Sequence, residues 1–343
     1  SKGLFEYNPD TFKEDRHKLN PDNLPTECLR AHWTGDKTCE MLDKYAQRDQ
    51  PFFVKCSFVE PHKTHYVQSD HRKKFDNIPL RPIIGRENEH DNKPLPQQEA
   101  VKQWNVNDGN MDDYRRGVYA SINLVDENVG KILNKLEELG VSDNTLVVFL
   151  TDHGDLMGDH GLKEKTFLYE GAVRIPFIVR GPGVPSGERR RHFVSQVDLL
   201  PSIAQFCNID TQELNIDGRN FLPVARDPHA HLRDTVYCEV DTTLHLKRGT
   251  ARNIKGSQSK MVRRGHWKYI YTLTDGQNAE AELYDLDNDP DELFNLAHEE
   301  KEKDIMQELR NELLRWLVAT EVNRVHPVAE NHYRYAQLPQ SCF

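Results

Sequence analysis

The sequence predicts an α/β protein: a mainly parallel sheet sandwiched by helices up to residue 225, then a small α+β subdomain, an antiparallel sheet plus helix, over residues 226–343. Three observations carry this prediction. A short apolar run, residues 146–150 (LVVFL), turns polar abruptly at Thr151, the pattern of a buried strand ending at the carboxyl edge of a parallel sheet. A helical stripe leads into it: Val118, Ile122, Val125, Val129, Ile132, Leu136 and Leu139 recur at intervals of four and three and stop at Gly140. After Asp234 the texture changes to short, closely spaced strand-like runs followed by a strong helical pattern.

In chain order, residues 1–35 read as a long surface connection, polar and turn-rich, with neither a signal peptide nor a strand at Ser1. Residues 38–47 (TCEMLDKYAQ) form a short helix, and residues 51–60 (PFFVKCSFVE) a strand that leads into a loop opening with Pro61-His62. Residues 83–110, rich in Asn, Gln, Pro and charge, read as an excursion over the surface. Helix resumes at Asp112, where Asp112 and Asp113 suit capping of the first turn better than metal ligation. Residues 175–180 (IPFIVR) are a second buried strand closed by Gly181-Pro182-Gly183, and residues 197–207 are helical. The later strands fall at 235–240, 259–264, 266–273 and 282–286, and a helix spans 299–320 with Ile305, Leu309, Leu313, Leu314 and Leu317 on one side.

Composition bounds the function classes. With 37% hydrophobic and 29% charged residues and no apolar run near the ~20 residues a bilayer span needs, the chain reads as soluble and globular, with no membrane partner. A formal charge of −10 argues against nucleic acid and anionic lipid as partners. The local exception lies between Thr242 and Thr274, with eight basic residues and no acid: Lys247, Arg248, Arg252, Lys255, Lys260, Arg263, Arg264 and Lys268. It reads as a polyanion-binding surface or, slightly better, as a solvated loop without a ligand. The six cysteines include no C-x-x-C, so most are free core residues, and no N-x-S/T sequon occurs.

Chemistry concentrates just after the 146–150 strand, where Asp152, His153, Asp155, Asp159, His160, Lys163 and Lys165 emerge at the edge where open α/β sheets gather ligands. Adjacent Asp152 and His153 offer an anionic oxygen and an imidazole nitrogen, a pair suited to a divalent cation that also touches a substrate oxygen. The competing reading is structural: Asp152 caps the following turn and His153 bonds the backbone.

This stretch resembles the sulfatase family and, through it, the alkaline phosphatase superfamily, whose members carry a hydrophobic strand, (S/T)-D-(H/N)-G, a Gly-rich loop, a lysine and Y-E-x-x-x-R-x-P. Here the pattern reads Thr151, Asp152, His153, Gly154, then Lys165, Tyr169, Glu170, Arg174 and Pro176. The strand followed by Pro61-His62 is similar to the family's P-H-x-P, with Thr64 in place of the second proline. Asp217, Gly218, Phe221 and Pro223 match a D-G-x-x-(F/L)-x-P segment, and Lys268-Tyr269 with the run LYDLDNDPDELFNLA resembles the family's C-terminal subdomain. The resemblance runs from about residue 51 to 320 and implies an alkaline-phosphatase-like fold.

It also implies roles. Asp152 and His153 would hold a divalent metal, Ca2+ ahead of Mn2+, and Lys165 and His62 would bind the sulfate and assist catalysis. Partners would be a sulfated small molecule or saccharide, and the location periplasmic or secreted. Sulfatases carry their nucleophile as a Cys or Ser in C/S-x-P-x-R, converted to formylglycine; neither that motif, nor the family's D-D pair, nor G-K-x-H occurs here. The expectation is therefore a sulfuric ester hydrolase of which these residues are the later part, inactive alone. The alternatives are a phosphodiester or phosphonate monoester hydrolase of the same superfamily, or a non-catalytic anion-binding homologue.

Overall fold

The computed structural model describes residues 21–63, 65, 67–104, 106, 111–211, 214, 216–242, 256–276 and 278–325. Helices in chain order are α1 (Arg30–Ala46), α2 (Ser69–Lys73), α3 (Leu95–Trp104), α4 (Met111–Glu138), α5 (Glu170–Val173), α6 (Leu199–Phe206), α7 (Leu222–Arg226) and α8 (Lys303–Val325). Strands are β1 (Val147–Leu150), β2 (Phe177–Arg180), β3 (Thr235–Asp241), β4 (Ser257–Arg264), β5 (Trp267–Thr274) and β6 (Asn278–Asp285). Contacts divide the chain into two units, residues 1–82 with 107–145, and residues 83–106 with 146–343. Among the described residues no helix is long and apolar enough to cross a membrane.

The first unit is built on α1 packed along α4. The two helices approach closely because Gly35 faces Asn128: a Cβ on Gly35 would lie 2.3 Å from Asn128 Oδ1. The buried face of α4 combines part of the expected apolar stripe, Val118 and Leu136, with Gly117, Ser121, Leu124 and Asn128. Ile122, a member of that stripe, is 47% exposed. Lys131 pairs with Asp36 and Lys135 with Asp43 along the seam. Asp112 and Asp113 do lie in the first turn of α4, where Asp113 accepts a 2.5 Å hydrogen bond from Arg72. Residues 51–60 depart from expectation: they join no sheet, and Phe53 and Val59 are exposed, so this is not a buried strand.

In the second unit β1 and β2 pair antiparallel, Val147 opposite Arg180 and Leu150 opposite Phe177. The parallel pairing expected for residues 146–150 is thus corrected. A parallel partner needs a crossover, usually a full helix, whereas the connection here holds only the four residues of α5 and doubles back. Val148, Phe177 and Val179 pack on Phe221, Leu222 and Val224.

Strands β3 to β6 form a four-stranded antiparallel meander in sequence order. Strand alternation gives it two buried faces. One presents Met261, Ile270 and Tyr284 to Leu156, Leu162, Tyr169 and Ala100, a core that runs across residue 225. The other presents Val262, Tyr269 and Leu283 to Leu309 and Leu313 of α8. Leu314 points away from that core and is 59% exposed. Residues 83–106 are no surface excursion: Glu89, Lys93, Gln97 and Ala100 are buried. Their polar atoms satisfy one another and the sheet, with Lys93 donating to Tyr284 Oη at 2.6 Å and Gln97 to Glu282 Oε2 at 2.7 Å. Such pairing is what allows a polar segment into a core.

Candidate active site

The loop after β1 is held by its backbone. Gln196 donates to the carbonyls of Thr151 (2.8 Å) and Asp152 (2.6 Å), and Gly154 N–H donates to Ala172 O of α5 at 2.7 Å. Position 154 must be glycine because a Cβ there would lie 2.1 Å from Gly171 O. Asp155 closes the next turn, accepting Met157 N–H at 2.8 Å and Glu164 N–H at 3.2 Å.

Asp152 and His153 are brought together at this turn. His153 N–H donates to Asp152 Oδ1 at 3.0 Å, and His153 Nε2 lies 3.5 Å from Asp152 Oδ2. A carbonyl only accepts, so the 2.7 Å contact between His153 Nδ1 and Gly154 O places the proton on Nδ1 and leaves the Nε2 lone pair facing the carboxylate side. A carboxylate oxygen and an imidazole nitrogen so arranged fit two positions around one divalent cation. Among the described residues no group of three or more His, Cys, Asp or Glu is gathered in metal-binding fashion.

Lys165 lies on the same loop, half-buried. His62 belongs to the first unit; it is exposed, its Nδ1 donating to Lys63 O at 2.5 Å. Asp159 and His160 are buried and structural: Asp159 accepts Ile84 N–H, and His160 donates to Glu89 at 2.7 Å while stacking on Tyr169 at 4.2 Å. Of the basic run, Lys247, Arg248, Arg252 and Lys255 lie outside the described residues. The other four are paired, Lys260 with Glu239, Arg264 with Glu308, and Arg263 and Lys268 with Glu170, so among the described members of the run little unpaired positive charge is left.

What sequence reasoning did not show is how the residues behind the loop are joined. Glu170 receives Lys268 Nζ at 3.2 Å and Arg263 at 2.7 Å, and its own N–H donates to Glu292 Oε2 at 2.6 Å. Lys268 is fully buried. A signal for it existed, since Lys268 shares a strand face with Ile270, two residues on, and so points into a core.

The fold is alkaline-phosphatase-like. The phosphonate monoester hydrolase of Agrobacterium radiobacter superposes with a TM-score of 0.71 at 22% identity, over 87% of this chain and 62% of that one. A structure solved in complex with its substrate D-glucosamine-2-N,6-O-disulfate superposes at 0.70 and 20% identity, over 86% and 69%. The chain belongs to the sulfatase family, whose pattern it matches over residues 8–209, and residues 158–318 match the C-terminal region of N-sulphoglucosamine sulphohydrolase. Choline-sulfatase of Rhizobium meliloti (strain 1021) is 29% identical over 265 residues, 72% of this chain and 46% of that protein. The chain spans about half the length of the curated relatives it matches.

Proposed function

We propose that the protein to which these residues belong is a sulfuric ester hydrolase. The observation that carries this reading is the Asp152–His153 pair, its Nε2 and carboxylate oxygen 3.5 Å apart directly after β1, in a member of the sulfatase family. Asp152 and His153 would hold a divalent cation, Ca2+ or Mn2+, which when bound supplies Lewis acidity toward a sulfate oxygen. His153 keeps its proton on Nδ1 through Gly154 O, so that Nε2 remains a donor to the metal. Lys165 is a compact cation on a flexible stem, suited to a sulfate oxygen, and His62 is read as a second sulfate contact. Residues 1–225 belong in this reading to the catalytic α/β domain and 226–343 to a supporting subdomain. The nucleophile, a formylglycine, would come from a part of the polypeptide outside these 343 residues, which contain no C/S-x-P-x-R. The substrate class is a sulfated small molecule or saccharide, in keeping with the neighbour solved with a disulfated glucosamine, and the location periplasmic or secreted.

The second reading, a phosphonate monoester or phosphodiester hydrolase, is favoured by the superposition on the Agrobacterium radiobacter enzyme. Turnover of an aryl sulfate against an aryl phosphodiester by the full-length protein decides between them. The Asp152→Ala variant is expected to lose both activity and bound metal; a variant that keeps its metal removes Asp152 from the site.

A further inference from the structure

We propose that Glu170, clamped by Lys268 and Arg263 of the C-terminal sheet and by Glu292 in the segment after it, is a positioning residue that sets the turn carrying Asp152 and His153. This rests on the reading of that turn given above. The geometry runs in one line. Registered across the sheet, Tyr284 of β6 lies opposite Lys268 of β5, which lies opposite Arg263 of β4, so two cations stand side by side on the face turned toward α5. Glu170 bridges them with one carboxylate oxygen each, Oε1 to Lys268 at 3.2 Å and Oε2 to Arg263 at 2.7 Å. Glu292 closes the cluster from the other side, 2.6 Å from Lys268 Nζ and 2.6 Å from Glu170 N–H.

From Glu170 to the candidate ligands the path is short and made of backbone. Ala172, two residues along α5, accepts Gly154 N–H at 2.7 Å, and the carbonyl of Gly171 leaves no room for any side chain at 154. Gly154 O in turn holds the imidazole of His153. A displacement of α5 therefore reaches His153 through two hydrogen bonds, with no flexible side chain between Ala172 and Gly154 to absorb it. A charge cluster is a reasonable device for this task because its members are held in two or more directions at once, whereas an apolar contact would let α5 slide. Burial pushes the Glu170 carboxyl up, but Lys268 and Arg263 outweigh it and leave it below the usual range, so the clamp is ionised at neutral pH. Burial pushes Glu292 up.

The test measures amide hydrogen exchange at Gly154 and calorimetric titration with Ca2+ in the wild type, Lys268→Met, Arg263→Gln and Leu309→Ala. Leu309 packs on the opposite face of the same sheet, so its truncation reports general loosening without touching Glu170. Arg263 is 25% exposed, so its variant keeps the test decisive if buried Lys268→Met does not fold. The clamp variants are expected to speed Gly154 exchange about 10-fold beyond Leu309→Ala and to weaken Ca2+ binding about 10-fold, the usual effect of removing a group that orients a ligand. Exchange at Gly154 that rises no further in Lys268→Met and Arg263→Gln than in Leu309→Ala overturns the proposal, whatever the Ca2+ affinity. If the wild type takes up no Ca2+, the metal reading fails instead, and the exchange measurement alone decides the positioning role.

Discussion

Replacing Gly154 by alanine sets two effects of opposite sign against each other. Alanine has fewer unfolded conformations, and Gly154 is not among the positive-φ glycines, so the entropic effect alone would stabilise by about 0.4–1 kcal/mol. Against it, the new methyl would lie 2.1 Å from Gly171 O, 3.1 Å from Gly171 C and 3.3 Å from Ala172 Cα. All three are backbone atoms, so nothing can rotate aside, and the turn or α5 must move. Overpacking of this kind costs about 1–3 kcal/mol, and stretching the Gly154 to Ala172 hydrogen bond adds about 1 kcal/mol. The contact wins, leaving a net loss of about 1–3 kcal/mol, or a fall in Tm of roughly 1–4 °C at this size. Gly130, inside α4, is the matched control, because a Cβ there meets nothing within 4 Å. Gly130→Ala should stabilise by up to about 1 kcal/mol through helix propensity. Scanning calorimetry of both variants checks this, and a Gly154→Ala protein melting at or above the wild type would refute the steric reasoning.

Asp198 is fully buried, accepting Ser195 N–H, Arg219 N–H and both terminal nitrogens of Arg233, so Asp198→Ala should destabilise by about 3–5 kcal/mol by stranding the Arg233 charge; a change under about 1 kcal/mol in urea unfolding would contradict that. Glu170 titrates below its ordinary value of 4.5 when folded, so its contribution is present above that pH and lost as pH falls through the folded value. The wild type should therefore lose unfolding free energy more steeply than Glu170→Gln below pH 4.5, and equal slopes would argue against an ionised clamp. On the proposed function, Lys165→Ala in the full-length protein should depress kcat by about 10²- to 10³-fold for every sulfated substrate, whereas a loss confined to one substrate would make it a specificity residue.

The sequence made Asp152 and His153 visible because an apolar run broke into polar residues at one point, and the four-strand meander and α8 because their periodicities are strong. Strand direction was not visible at β1: a run of five apolar residues suggests burial, which the half-buried strand meets only in part, and says nothing about whether the neighbour runs parallel or antiparallel. Residues 83–106 were misread for a related reason, since Glu89, Lys93 and Gln97 enter a core only with partners that lie far away in the chain, among them Tyr284 and Glu282. The clamp on Glu170 was half legible: strand alternation puts Lys268 on the inward face with Ile270, but nothing local names its partner.

The wedging of residues 86–97 against the last strands bears on biosynthesis. Lys93 meets Tyr284 across 191 positions, and Arg86 meets the carbonyl of Leu293 across 207. During vectorial synthesis at about 5–20 residues per second, these two side chains wait roughly 10–40 s on the ribosome for their counterparts to be made. Until then Lys93 and Gln97 lack Tyr284 and Glu282, and leaving them in water costs less than burying them unpaired. Closure of this core is thereby tied to arrival of the C-terminal hairpins, so a nascent chain stalled before residue 284 cannot complete it.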